Sequence, residues 1–588
     1  MNQPGINRDK EQRPAYLKSC RDKQDPRAFP FRFYASHFLL LFLCAFLLIM
    51  DKKWRAKSSQ EILETVDSDD RYDFDFHDLD RVQRRLKQRH VQMIAIAGTI
   101  GTGLFLGSGN ALQVAGPLGA LLAYALVGTV AYSSLCCIAE MTTWAPISGT
   151  FPHYAARWVD PALGFAVGWN YFYANAVSVP VEISAAAILM TFWDPNTDHA
   201  ATYTAIIVIL VCAINIFGVR YFGESEFLFS IVKLILIIVL LFAGLIVDLG
   251  GGPGHEVIGF KNWVNPGAVN RAHLVEDIGA DRFLAILNVI IQAAFSFQGM
   301  ELVCIAASET ENPRRNIAKA VRRVFYRIMV FYMLGILMIG LLVPFDNPQL
   351  LSRVGTAAQS PFVIALNSAG VKAFPHLVNA GILTSAFSAA SSSLFASSRV
   401  LYGLSIRGQA PKWLAHTTKQ GLPIASVLTT SVFALMAFMT VSAGVETVFN
   451  WFVNVVTTGG FIGWFSINLT YVFFHRGMIA QGYDLKKNVY NNGLQPYLAY
   501  WGMGWTLFFV LMNGYAVFFK FETSLFLTAY INIPIFAALY FGYKWVYRTR
   551  VWKPLEMDFV TGIPTVEETE LPPDPPVTFL EKVGDVLF

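Results

Sequence analysis

Twelve separate apolar runs, most of them near the roughly 20 residues a helix needs to cross a bilayer, dominate this chain. They lie near 91–113, 118–139, 162–192, 202–219, 226–247, 284–306, 324–343, 377–398, 424–442, 448–474, 498–519 and 523–545. No other feature limits the fold so strongly. Inside hydrocarbon every backbone amide must find its partner within the chain, so runs of this length are helices. The expected fold class is an all-α polytopic membrane protein with twelve transmembrane helices. Composition points the same way. The chain is 54% hydrophobic and 15% charged, whereas a soluble domain carries about a quarter charged residues.

Basic residues orient the spans. Arg81, Arg84, Arg85, Lys87 and Arg89 precede the first run, and Arg314, Arg315, Lys319, Arg322 and Arg323 follow the sixth. Further groups follow the eighth, tenth and twelfth, at Arg399–Lys419, Arg476–Lys487 and Arg548–Lys553. With twelve spans all of these fall on one side. The positive-inside rule then places both tails in the cytoplasm. The expected division is a tail over 1–85, a transmembrane domain over 86–546 and a tail over 547–588. Phe38 to Met50 is apolar but short for a span. A thirteenth span, with the N-terminus outside, and an interfacial helix are the alternatives; the expectation is instead a natural start at Met50, with 1–49 a gene-model artefact. The acidic run 67–80 reads as solvated tail, with a tail-binding regulator the alternative.

The first run contains "IAGTIGTGLFLGSG" (96–109), with glycines at 98, 101, 103, 107 and 109. Gly101 lies ten residues past Val91, about 15 Å into a core of roughly 30 Å. Glycine weakens a helix by about 1 kcal/mol relative to alanine. Two readings fit. Gly103 and Gly107 form a GxxxG that brings two helices close. Alternatively the helix opens at mid-depth, and the amides of the following half-helix face a polar cavity and suit a carboxylate. A second interruption favours opening. The sixth run carries Ser296, Gln298, Gly299 and Glu301 near mid-depth, five spans after the first. Inverted-repeat transporters hold substrate between broken helices in such corresponding positions. An amino acid zwitterion fits: its carboxylate at one opened helix, its amine at the other.

Ionisable residues within spans are costly and few. They are Lys233 in the fifth run, Glu182 after Pro180 in the third and Glu301 past Gly299 in the sixth. They read either as buried structural pairs or as groups that couple transport to an ion gradient. No cluster of carboxylates with a sodium-like carbonyl cage is visible, which favours protons. The eighth run is rich in serine over 384–399. Its hydroxyls either bond back to their own helix or bring Ser388, Ser391 or Ser392 to the cavity beside Lys233. Phe295 and Phe297 are core residues or, beside an opened helix, covers for the substrate. No phosphate-binding loop, zinc-ligand spacing or nucleophile–base constellation stands out. The expectation is a carrier and not an enzyme, with no cofactor, no metal and no nucleic-acid partner. Its surroundings are the lipid bilayer.

Several stretches resemble fungal amino acid permeases of the amino acid–polyamine–organocation superfamily. They are "LKQRHVQMIAIAGTIGTGLFLGSG" (86–109), "AEMTTWAPISGTFPHYAARWVDPALGFAVGWNY" (139–171), "FGVRYFGESEF" (217–227), "FSFQGMELV" (295–303), "ENPRRNIAKAVRRVFYRI" (311–328) and "ASSRVLYGLSIRGQAPKWL" (396–414). The resemblance implies a five-plus-five inverted-repeat (leucine-transporter-like) fold with two additional C-terminal helices. It also implies secondary active uptake of L-amino acids, usually with protons, at a fungal plasma membrane. Carried over by residue, it assigns Thr99, Ile100, Gly101, Thr102 and Gly103 to the substrate carboxylate. Phe295, Ser296 and Phe297 also fall at the substrate, Glu301 as gate or proton-linked group and Lys233 as the fifth-span lysine. Glu140 and Gly149 match a cytoplasmic loop motif with a packing or gating role. Cys304 replaces a glycine and Ser391 an asparagine found in relatives. Both substitutions bear on pocket width and polarity. The alternative function is an amino acid receptor that transports little. Long tails would favour that receptor; these are modest.

Overall fold

A computed structural model describes residues 84–194, 196, 199–251, 255–351, 360–368, 374–440 and 445–570. The expectations for 1–49, Phe38–Met50 and the acidic run 67–80 lie outside the described residues. The described chain is helical: α1 (Gln88–Thr99), α2 (Ser108–Trp144), α3 (Thr150–Trp158), α4 (Pro161–Met190), α5 (Ala200–Ile216), α6 (Val219–Asp248), α7 (Ile278–Phe297), α8 (Leu302–Ile305), α9 (Pro313–Leu342), α10 (Pro361–Ser368), α11 (Phe374–Ile406), α12 (Ile424–Ala434), α13 (Val445–Ala480), α14 (Tyr497–Met512), α15 (Thr523–Tyr530) and α16 (Asn532–Tyr547). Among the described residues the strand-like contact is an isolated parallel bridge between Leu86 and Thr310.

Among the described residues seven segments are long and apolar enough to cross a membrane: Gln88–Trp144, Pro161–Met190, Val219–Asp248, Ile278–Glu309, Pro313–Leu342, Val448–Ala480 and Thr523–Tyr547. Ala200–Ile216 and Ile424–Met439 are shorter apolar helices. The first segment holds 57 residues, roughly 85 Å if straight, against a core of about 30 Å. It is not straight. Gly116 leaves the helical region at φ +74°, and Pro117, which has no N–H, follows. Residues 268–270 staple the kink: Asn270 N–H donates to the Ala115 carbonyl and Leu118 N–H to the Ala268 carbonyl. The expected runs 91–113 and 118–139 meet at this kink.

Polarity is arranged inside out. Large apolar side chains stand exposed along α5, α6, α14 and α16, among them Ile209, Phe242, Leu511 and Phe541. Glu182, Glu226, Lys233, Glu301 and most serines of α11 are buried. An apolar exterior of this extent is what lipid, not water, stabilises. α4 and α11 pack together, flanked by α1, α6 and α13, while α7 packs chiefly on α2.

At one end of the bundle the chain before α1 meets the chain after α8. The N–H groups of Arg85 and Leu86 both donate to the Glu309 carbonyl, at 2.9 and 2.8 Å. The Glu309 carboxylate pairs with Arg399 of α11 at 2.8 Å, and both are buried. The C-terminal segment crosses this same end. Buried Arg314 at the start of α9 donates to the carbonyls of Pro564 and Thr565. Arg157 of α3 pairs with Asp558 at 2.9 Å, and the Trp158 indole donates to the Asp558 carbonyl. Gln481, after α13, donates to the carbonyls of Pro554 and Met557.

Candidate functional site

The first interrupted helix opens between Thr99 and Gly103. Ile100 turns to ψ +89°, and Gly101 N–H reaches only the Thr99 carbonyl. Beyond the break the chain winds as a π-helix, Gly103–Gly107, before α2 begins. A helix end leaves carbonyls without intrahelical donors and carries partial negative charge. Side chains from three other helices meet those carbonyls. Lys233 Nζ donates to Ala97 O at 2.6 Å. Tyr332 OH donates to Thr99 O at 2.8 Å, and Ser385 Oγ to Ile100 O at 2.9 Å. Ser230 Oγ donates to Met93 O one turn earlier. The lysine ammonium thus sits where a helix C-terminus favours a cation.

The second interruption falls between Phe297 and Leu302. Gln298 is extended, and Gly299 takes φ +97°, which side chains other than glycine rarely adopt. The two breaks touch. A Cβ on Gly299 would lie 2.5 Å from the Gly98 carbonyl oxygen. A Cβ on Gly103 would lie 2.7 Å from Ser296 Oγ, whereas one on Gly107 would meet nothing within 4 Å. The GxxxG pair therefore does not act as a packing pair: Gly103 packs closely and Gly107 does not.

A cavity lies between the breaks. Gly98, Thr99, Gly101 and Gly103 form one wall; Phe295, Gln298, Gly299 and Glu301 form another. α4 supplies Tyr171, Asn175, Ser178 and Glu182. Their spacing of four, three and four residues is one face of a helix. Tyr171 OH donates to Glu301 Oε1 at 2.9 Å, and the Trp464 indole approaches Oε2 at 3.5 Å. Glu182 Oε1 stands 3.0 Å from where a Gly101 Cβ would lie. The far wall is Ala389 and Ser393 of α11 with Val456 and Gly460 of α13.

Of the residues expected from sequence, Thr99, Gly101, Gly103, Phe295, Glu182 and Glu301 line this cavity. Ile100 and Thr102 belong to the same break and are buried outside the cavity lining, Thr102 beside Glu182. Ser296 faces Gly103, bonded to Tyr124 OH at 3.0 Å and to the Gln292 carbonyl. Phe297 is packed between Tyr332 and Tyr124, with ring centroids 4.8 and 6.2 Å away. Lys233 stands one layer behind the cavity. Ser388 bonds Glu226, Ser391 accepts from Asn215, and Ser392 lies beside Glu226. Glu140, named for its loop motif, is bonded to Tyr471 OH and Asn492 N–H.

Sequence reasoning missed two features. The polar stripe Tyr171–Asn175–Ser178–Glu182 was legible as a helical period in an apolar run. Glu226 is fully buried but stood at the very edge of the fifth apolar run, where a carboxylate reads as loop.

The family model described as amino acid permease matches residues 90–555. The chain is 38% identical over 487 residues to the dicarboxylic amino acid permease of Saccharomyces cerevisiae, covering 82% of this chain and 80% of that one. It is 40% identical over 489 residues to the proline-specific permease of Emericella nidulans, covering 82% and 88%. It is 37% identical over 508 residues to the basic amino-acid permease of S. cerevisiae, covering 86% and 88%. With its apolar helices, its cavity between two broken helices and this match along most of its length, the chain is an integral membrane protein that belongs to the amino acid permease family.

Proposed function

We propose that this chain imports L-amino acids across the plasma membrane by proton symport and alternating access. In this reading twelve helices cross the membrane in five-plus-five inverted repeats with two trailing helices, and both tails are cytoplasmic. The observation that carries it is the cavity where the breaks of α1 and α7–α8 touch. The substrate carboxylate meets amides of residues 99–103, where the half-helix beyond the break begins with N–H groups that lack intrahelical acceptors. Ile100 takes part through backbone, and Thr102 through backbone and as a neighbour of Glu182. The ammonium meets Glu301 and the carbonyls of the second break. Phe295 covers the substrate, and Ser296 and Phe297 hold that cover from behind.

Glu182 faces the cavity and Lys233 lies behind it; together they link proton occupancy to the α1 break, because Lys233 holds the Ala97 carbonyl. On the cytoplasmic side Glu309, Arg399 and the Arg85–Leu86 backbone close the path. Alternating access then opens this closure as the extracellular side shuts. Relatives named as permeases support a carrier over a receptor. The test is uptake of a panel of twenty labelled amino acids by the full chain in a permease-deficient fungal cell, with and without a protonophore. Concentrative, protonophore-sensitive uptake of one or more is expected. Saturable binding without accumulation would replace the carrier with a receptor.

A further inference from the structure

Glu226 has no part in the cavity described above. It is fully buried in α6. Its Oε2 accepts from Ser388 Oγ at 2.5 Å, and its Oε1 has no hydrogen-bond partner. Two turns further along the same helix face stands Lys233, also fully buried, its ammonium on the Ala97 carbonyl and Glu226 and Glu182 its charged neighbours. Glu182 Oε2 also lacks a hydrogen-bond partner. The neighbouring helices bring these groups to the set: α11 brings Ser388, Ser391 and Ser392, α5 brings Asn215, α9 brings Tyr332 and α4 brings Glu182. Arg89 and His90 of α1 meet α6 nearer its start, at Glu224.

One ammonium and two carboxylates, all ionised, leave a net negative charge in a buried place. Burial strongly disfavours an unbalanced charge, and a single proton removes it. Only Glu182 of the two carboxylates lines the cavity. We infer that Glu226 is the fixed counter-charge of Lys233, so that Glu182 takes and releases the one proton moved per cycle. The inference rests on the proton-symport reading. The step is simple: an O–H bond forms on the Glu182 carboxylate with a proton from water outside. The same bond breaks to water inside, while Lys233 stays an ammonium and Glu226 a carboxylate throughout.

The test uses the full chain reconstituted in liposomes, with a pH dye inside and a labelled substrate outside. Wild type takes up one proton per amino acid. Glu226→Gln leaves Lys233 and Glu182 already balanced, so the pH profile of uptake moves to the acid side by about 1–3 units. Substrate-linked proton entry is then lost at the pH where wild type works. Glu226→Asp keeps the charge and restores the profile; Ser388→Ala removes the bond, keeps the charge and leaves the profile in place. An E226Q protein with the wild-type profile and ratio overturns the inference while symport stands. Should E226Q fail to reach the membrane, the wild-type ratio decides: two protons per substrate would mean that Glu226 titrates too. Wild type that moves no protons removes the symport reading, and this inference with it.

Discussion

Gly299 and Gly98 meet backbone to backbone: a Cβ on Gly299 would lie 2.5 Å from the Gly98 carbonyl oxygen, and Gly299 holds φ +97°. One residue type satisfies both conditions. The two broken helices are thereby locked at one point, and the cavity opens beside it.

Gly299→Ala must strain the backbone, by about 1–3 kcal/mol, and push the breaks apart. Uptake is expected to fall at least tenfold, the equivalent of about 1.4 kcal/mol, with protein still at the cell surface. Gly101→Val likewise meets Glu182 and Ala389, 3.0 and 3.2 Å from its first added carbon, and abolishes uptake. Gly107→Ala meets nothing within 4 Å and transports normally. Equal activity in all three, measured as initial uptake rate per surface molecule, would remove the proposed site.

Lys233→Ala takes the donor from Ala97 O and removes the buried cation that neighbours the buried carboxylates Glu226 and Glu182. The expected result is loss of proton coupling at near-normal expression. Uptake becomes non-concentrative and indifferent to a protonophore. Intact concentrative uptake with unchanged pH dependence would assign Lys233 to structure alone.

Tyr171→Phe deletes the hydroxyl that donates to Glu301 at 2.9 Å, while its edge contact with Phe151 at 4.9 Å remains. A hydrogen bond to a carboxylate contributes about 1.5–3 kcal/mol. Transport efficiency should fall by about tenfold or more, with thermal stability in detergent little changed. A stability loss that matches the activity loss would make the bond structural.

The docked C-terminal segment, 549–570, predicts a protection pattern. Burial alone would raise the Asp558 carboxyl, but the Arg157 guanidinium and the N–H groups of Thr561 and Val560 hold it below its ordinary value. A carboxyl held low stabilises docking above its free value of about 3.9 and loses that contribution as pH falls through the lower docked value. Hydrogen exchange should therefore find 549–570 equally protected from about pH 5 to 8. Arg157→Ala or Arg314→Ala should release the segment. Protection that vanishes within that pH range would contradict the assigned contact.

The apolar runs made the helices legible, because lipid demands length and composition together. The breaks were legible because glycines at 98, 101 and 103, and the polar residues 298–301, interrupt runs that otherwise have no reason to stop. Side-chain direction was not legible. Phe295 and Phe297 are two residues apart, about 200° around a helix, so one faces the cavity and the other the Tyr124–Tyr332 cluster. Glu226 escaped notice because a span boundary is uncertain by more than one turn. The contacts of the C-terminal segment were not legible either: Met557 and Phe559 are buried and Trp552 is half-buried against the core.

One continuous stretch of α4, Tyr171 to Glu182, reaches the cavity once per turn. Such an arrangement is modular. Grafting that stretch from a relative with another named substrate would exchange five wall residues, Ala174 among them, while leaving both breaks untouched. A chimaera that acquires its donor's preference would show that nutrient choice in this lineage can be rewritten along a single helical edge.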